Sequence, residues 1–249
     1  MNDKKMKITN LKALTFDCYG TLIDWESGIW DALQPLLAQN NRTDIHRSQG
    51  LEAFATFETA QELATPDMLY PELLGHVHNR LAAHFELSSS KSLDTAFGQS
   101  VPHWPAFPDS ADALRLLKQH FKLVILSNVH KEGFAASNKK LGVTFDAIYT
   151  AEDVGSYKPD LANFEFMISK LNSDLHIKPD EILHTAQSLH HDHVPAQRAG
   201  LTKAWIDRQD LANSESWGAT AVVKNRPDIE VRFTSLQEMA EHAVQELHC

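Results

Sequence analysis

The sequence predicts an α/β protein: a Rossmann-like parallel sheet core with helices on both faces and an inserted all-helical cap domain. Three observations predict it. The apolar run of residues 11–16 stops abruptly at Asp17 and a Gly20-Thr21 turn, as a buried strand does when it carries a carboxylate to its C-terminal tip. From about Trp25 to Trp104, apolar residues recur at helical spacing with no buried-strand run. From Asp109 onward, helical and strand patterns alternate, which calls for a parallel sheet with crossover helices. The division expected is a core of residues 1–24 and 105–249 and a cap of residues 25–104.

Taken in order, the first strand leads into Phe16-Asp17-Cys18-Tyr19-Gly20-Thr21. Gly20 lets the backbone turn away, and the Thr21 hydroxyl can bond whatever sits at the tip. A carboxylate placed there can attack an electrophile and form a covalent ester or acyl phosphate. It can equally be a residue that starts a turn. Helical spacing then groups Ile29, Leu33, Leu36 and Leu37; next Leu51, Phe54 and Phe57; and next Leu74, Val77, Leu81 and Phe85. Polar breaks at Asn40-Asn41 and residues 87–90 separate these helices. The Pro-rich stretch 101–108 reads as a stiff return linker.

Asp109 is expected to cap a helix carrying Ala113, Leu114 and Leu117. Residues 121–126 read as a buried strand stopping at Ser127-Asn128, and residues 134–141 as a helix closed by Gly142. A short strand at 147–150, a helix at 163–171 and a strand at 181–185 follow. The last of these runs into Ala186-Gln187-Ser188-Leu189-His190-His191-Asp192. A helix to Gly200, a strand at 203–207, an edge strand at 219–223 and a helix at 235–247 close the chain.

Composition narrows the partners. The 249 residues suffice for a large core plus a satellite domain. A formal net charge of −10 argues against non-specific nucleic-acid binding. No apolar run reaches the length of a membrane span, and the N-terminus shows no secretory signal, so a cytoplasmic protein without membrane partners is expected. Cys18 and Cys249 are the only cysteines, which makes a structural disulfide unexpected. Cys18 reads as a small core-facing residue, since no His or second Cys stands at a telling spacing. A homodimer remains open.

Polar groups collect at the strand ends: Asp17 after the first, Ser127-Asn128 after the second, Lys158 after the third and Asp192 past the fourth. In a parallel sheet these tips share one edge, so four separated segments meet at one crevice. Each has a duller reading, as a helix cap or a surface lysine. The ordered set Phe16-Asp17-Cys18-Tyr19-Gly20-Thr21-Leu22, Ile125-Leu126-Ser127-Asn128, Tyr157-Lys158-Pro159-Asp160 and Asp192 resembles the haloacid dehalogenase superfamily of hydrolases, over nearly the whole chain.

Two departures from the superfamily's phosphatases point to the branch that breaks carbon–halogen bonds. Phosphatases carry a second Asp two residues after the nucleophile to protonate a leaving alkoxide; Tyr19 stands there instead, and a halide needs no proton. They also tend to keep two acids in the fourth motif for Mg²⁺, whereas this chain shows Gln187 and then Asp192. No metal and no cofactor are therefore expected, with Mg²⁺ reserved for the alternative reading, a magnesium-dependent small-molecule phosphatase. A non-catalytic binding protein using the same crevice is the other rival.

The resemblance implies an L-2-haloacid dehalogenase acting on a small anionic 2-haloalkanoic acid. Asp17 would be the nucleophile, and Asp192 with Lys158 would position water to hydrolyse the aspartyl ester. Ser127, Asn128, Thr21 and the backbone at Cys18 and Tyr19 would bind the substrate. The segment from His46 to Glu52 is similar to the cap segment whose Arg cradles the halide, which implies Arg47, with Arg42 nearby. Tyr19, Leu51, Tyr70 and His191 are candidate pocket walls. Phe164 and Leu189 differ from the usual Tyr and Asn of that branch, and His190, His191 and His193 read as pocket lining or surface more readily than as metal ligands.

Overall fold

The computed structural model describes residues 6–213 and 223–248. Among the described residues, six parallel strands form one sheet in the order β3-β2-β1-β4-β5-β6. They are β1 (Ala13–Phe16), β2 (Lys122–Ser127), β3 (Ala147–Thr150), β4 (Ile182–Ala186), β5 (Thr202–Ile206) and β6 (Val231–Phe233). The order runs outward from β1 on one side and then restarts at β4 on the other. That places a topological switch, and hence a ligand crevice, at the C-terminal tips of β1 and β4.

Alternation along β2 explains why helices cover both faces. Leu123 and Ile125 enter one core with Leu114 and Leu117 of α5 (Ser110–Leu117), Phe134 of α6 (Lys131–Leu141) and Met239 of α10 (Leu236–Leu247). Val124 and Leu126 point the other way, against Phe164, Met167 and Leu171 of α8 (Leu161–Leu175) and Ala196 of α9 (Val194–Arg198). A strand buried on both faces needs this near-continuous apolar run.

Between β1 and β2 the chain is helical: α1 (Trp25–Gln39), α2 (Arg47–Ala64), α3 (Tyr70–His84) and α4 (Lys91–Gly98). The outgoing and returning segments are pinned together, Asp24 N–H donating to Pro105 O at 2.8 Å and Phe107 N–H to Leu22 O at 3.1 Å. Trp104 is buried on the way back, packed over Gly28 of α1, where an added Cβ would lie 2.2 Å from the indole. No helix of the described residues is long and apolar enough to cross a membrane.

Several expectations need correction. The edge strand is β6, at 231–233; most of the expected 219–223 strand lies outside the described residues, and Val223 is not in a strand. β6 is three residues long with Arg232 at its centre, too short to stand out as a period-two pattern. Two short helices, α4 and α7 (Ala151–Val154), fall where the periodicity gave no separate element. Asp109 does precede α5, but its backbone is already helical and its side chain makes no cap. Its carboxylate instead accepts from the N–H groups of Leu236 and Gln237 at the start of α10 and pairs with Arg208.

Candidate active site

The buried run of β1 brings Asp17 to the sheet's edge, where its N–H still bonds Thr185 O at 3.1 Å. Gly20, at φ +96°, turns the chain back so that the Thr21 hydroxyl donates to Asp17 Oδ2 at 2.9 Å and accepts from Gln187 N–H at 2.9 Å. One residue therefore ties the tips of β1 and β4. Lys158, delivered by the loop after α7, donates to Asp17 Oδ1 at 2.9 Å, Asp192 Oδ1 at 2.6 Å and Leu126 O at 3.0 Å. All three of its protons are used, and the whole side chain is buried.

Asp192 sits in a π-helical turn, Leu189–His193, directly after β4. Its Oδ1 lies 3.0 Å from His184 Nε2; a carboxylate only accepts, so His184 presents Nε2–H there, and its Nδ1 lies 2.9 Å from the Thr15 hydroxyl. Asp192 Oδ2 is buried with no hydrogen-bond partner. Asn128 is a brace: its Oδ1 accepts from Lys158 N–H at 2.7 Å, while its Nδ2 donates to Lys158 O at 2.9 Å and Glu62 Oε1 at 3.0 Å. Ser127 is buried, its Oγ without a partner. No protein acceptor among the described residues takes the backbone N–H of Cys18 or Tyr19.

The two aspartates on one ammonium are driven apart. Burial alone would push Asp192 up, but Lys158 and the hydrogen bond from His184 outweigh it and hold its carboxyl below the ordinary value. At Asp17 burial wins, so its pKa is raised, with Lys158 opposing the rise and the Asp192 charge adding to it. Burial alone would lower Lys158; the two carboxylates hold it above the ordinary lysine value. The pair titrates as a unit around a fixed cation.

These groups open into a small cavity of about 80 Å³ lined by Asp17, Tyr19, Trp25, Ala55, Glu58, Thr59, Glu62, Tyr70, Asn128, Lys158, Gln187, Ser188, His191 and Asp192. Of the expected residues, Asp17, Tyr19, Tyr70, Asn128, Lys158, His191 and Asp192 are brought together there. Leu51 is not: it is buried in the hydrophobic core. The Cys18 side chain also lies in the core, and burial pushes its thiol up, so it is no nucleophile. Tyr19 gives its hydroxyl to a hydrogen bond with Ser137 at 3.0 Å.

Arg47 is not among the lining residues either. It is 46% exposed at the start of α2, 3.2 Å from Ser27 Oγ and 3.8 Å from Glu26. It lines a neighbouring crevice that shares Trp25 and Gln187 with the cavity. Arg42 is bound to Asp44 and to Phe85 O. The second half of α2 faces the site instead, through Ala55, Glu58, Thr59 and Glu62. Glu58 stands roughly 16 Å along the helix axis from Arg47 at 1.5 Å per residue. Glu58, Glu62 and His184 were missed by the sequence reading. The signal available was a pair of Glu residues four apart on a helix with an apolar face, a pattern that usually marks solvent.

Burial and the neighbouring Glu62 push Glu58 up to about 8, despite the Tyr70 hydroxyl that donates to it. His191 would be lowered by burial, but Glu62 and Glu58 raise it. His190 and His193 are both lowered to about 4 by burial, and His193 Nε2 is spent on Ala186 O at 2.9 Å. Among the described residues no group of three His, Cys, Asp or Glu side chains is arranged to hold a metal ion. Lys158 bridges one oxygen of each carboxylate, Asp17 Oδ1 and Asp192 Oδ1, and leaves Asp192 Oδ2 without a hydrogen-bond partner among the described residues. No step below is routed through a metal ion.

Comparison with known proteins gives the same architecture. The (S)-2-haloacid dehalogenase 4A of Burkholderia cepacia is 27% identical over 206 residues, covering 81% of this chain and 85% of the relative. Pyrophosphatase PpaX of Bacillus pumilus (strain SAFR-032) is 25% identical over 243 residues, covering 92% and 96%. The L-2-haloacid dehalogenase of Xanthobacter autotrophicus superposes with a TM-score of 0.75 at 16% identity, covering 93% of this chain and 97% of that one. That likeness reports the fold. The sequence model of the haloacid dehalogenase-like hydrolases matches residues 11–185, the stretch that holds β1 with Asp17 at its tip, β2, β3, Lys158 and most of β4, and the chain belongs to that family of hydrolases.

Proposed function

We propose that the protein hydrolyses the carbon–halogen bond of short (S)-2-haloacids through an ester on Asp17. The observation that supports this reading is the pairing of a lysine-braced carboxylate at the strand tip with a Tyr at position 19 whose hydroxyl is engaged by Ser137. The residue placed to serve a leaving alkoxide as an acid is therefore missing, whereas a halide leaves without a proton. The name of the Burkholderia relative agrees.

In the first step an Asp17 oxygen forms a bond to the carbon bearing halogen, and the halide departs with the bonding pair. The substrate carboxylate is received by Ser127 Oγ and the backbone N–H groups of Cys18 and Tyr19. In the second step water held by the unpartnered Oδ2 of Asp192 attacks the Asp17 carbonyl carbon. The ester C–O bond opens, one water proton passes to the departing alkoxide by way of Asp192, the other is released to solvent, and the hydroxy acid leaves as the Asp17 carboxylate is restored. Lys158 holds the nucleophile and the water-binding carboxylate in register throughout.

Halide release from (S)-2-chloropropanoate is expected, at a rate unchanged by EDTA. Loss of activity on chelation, restored by Mg²⁺, together with phosphate release from esters, would select the second reading, to which the pyrophosphatase relative points.

Arg47 lines the neighbouring crevice and not this cavity, paired with Glu26 and Ser27, so Arg47→Ala is expected to change kcat by less than about twofold. A tenfold or larger fall in kcat in a folded variant would bring Arg47 into the reaction.

A further inference from the structure

The helical insertion closes the cavity with an acidic wall. Glu58 and Glu62 lie one turn apart on α2, and both line the space into which Asp17 opens. The lining thus holds four carboxyl groups against one lysine and one histidine, and the lysine is already shared between Asp17 and Asp192. Glu62 is only 6% exposed. Its Oε1 accepts from Asn128, and its Oε2 is ion-paired with His191 Nε2 at 3.5 Å, with no hydrogen bond made at either atom among the described residues. A buried carboxylate oxygen lacking a donor is costly unless a ligand completes it.

We propose that Glu62, with Glu58 and Tyr70 beside it, recognises an ammonium group on the end of the substrate remote from the carbon that Asp17 attacks. The recognition is charge-assisted: an amine supplies to Glu62 Oε2 the hydrogen-bond donor that the described residues do not. Asn128 spans from Glu62 to the Lys158 backbone, so wall and nucleophile are near neighbours and the substrate is short. The preferred substrate is then a short (S)-2-haloacid that carries an amine at its far end. The proposal rests on the reading that this cavity holds the substrate of Asp17.

Isosteric, unreactive probes test it. Binding of β-alanine, 3-hydroxypropanoate and butanoate, and of the longer pair γ-aminobutanoate and pentanoate, is measured by calorimetry on the full chain. The amine of at least one length is expected to bind about tenfold tighter than its matched alkanoate and alcohol, the discrimination a charge-assisted hydrogen bond supplies in a dry site. In Glu62→Gln the advantage should fall below about twofold, with circular dichroism and melting temperature showing a folded protein. Glu58→Gln, measured at about pH 9 where Glu58 carries its charge, provides a second variant should Glu62→Gln unfold, and is expected to shrink the advantage as well. Equal affinities within each matched set, or an advantage that survives in a folded Glu62→Gln protein, would overturn the proposal. Halide release is scored separately on (S)-2-chloropropanoate and on an amine-bearing analogue, 4-amino-2-chlorobutanoate: release without amine preference in binding sinks only the recognition proposal, and amine preference with release from neither haloacid sinks only the dehalogenase reading.

Discussion

Asp17→Asn is expected to reduce turnover by about 10⁴-fold or more, the loss seen when a covalent nucleophile is removed from a working site. The amide keeps nearly the same volume at a position the sheet encloses, so the fold should persist. Thr21 can still donate to the remaining oxygen, as it does to Oδ2 in the native site. What disappears is the charge that attacks carbon. The covalent route also makes an isotopic demand. With wild-type enzyme in excess, a single turnover in H₂¹⁸O should place label in the peptide containing Asp17, because water attacks the carbonyl of the aspartyl ester. Label appearing only in the hydroxy acid would make Asp17 a base for direct attack by water, and the ester mechanism would fall.

The parts of the fold that were legible from the sequence were those with long, unbroken patterns. β1 and β2 are buried on both faces and read as continuous apolar runs, and α1, α2 and α3 repeat their apolar residues over four turns or so. The strand tips followed because parallel strands put Asp17, Ser127 and Asp192 on one edge whatever the helices do. The cap's contribution was not legible in the same way. A helix presents a different residue to the site with each 100° of rotation, and the insertion's docking angle is a tertiary property. The expected contact at Arg47 and Leu51 therefore moved to Glu58 and Glu62, three turns further along α2. Asn128 illustrates a second limit. It was expected to bind substrate, and its amide is instead consumed bracing Lys158 and Glu62, a role that depends on atoms 30 and 66 residues away in sequence.

Lys158→Met should damage both folding and chemistry, and the pH dependence of the damage identifies its cause. The ammonium is the shared donor to Asp17 and Asp192, buried with them and held at 2.9 and 2.6 Å. Removing it leaves two carboxylates facing each other without a cation, which costs about 3–5 kcal/mol for a broken buried pair. Turnover should fall by about 10³-fold or more, since nucleophile and water-binding carboxylate lose their common brace. In the native protein the Asp192 carboxyl is held below its unfolded value, so its stabilising contribution is complete at neutral pH and is lost only as pH falls below the ordinary carboxylate range. In the variant, burial and mutual repulsion act unopposed and raise both carboxyls above their unfolded values. A raised carboxyl costs stability as pH climbs from the ordinary carboxylate value through the raised one, and restores it on acidification. The gap between native and variant proteins in urea denaturation should therefore be widest near pH 8 and narrow by more than about 1 kcal/mol at pH 5, one pKa unit being worth 1.36 kcal/mol. A gap that stays constant, or widens toward acid, would mean that Lys158 stabilises the fold through packing of its aliphatic stem and not by neutralising Asp17 and Asp192.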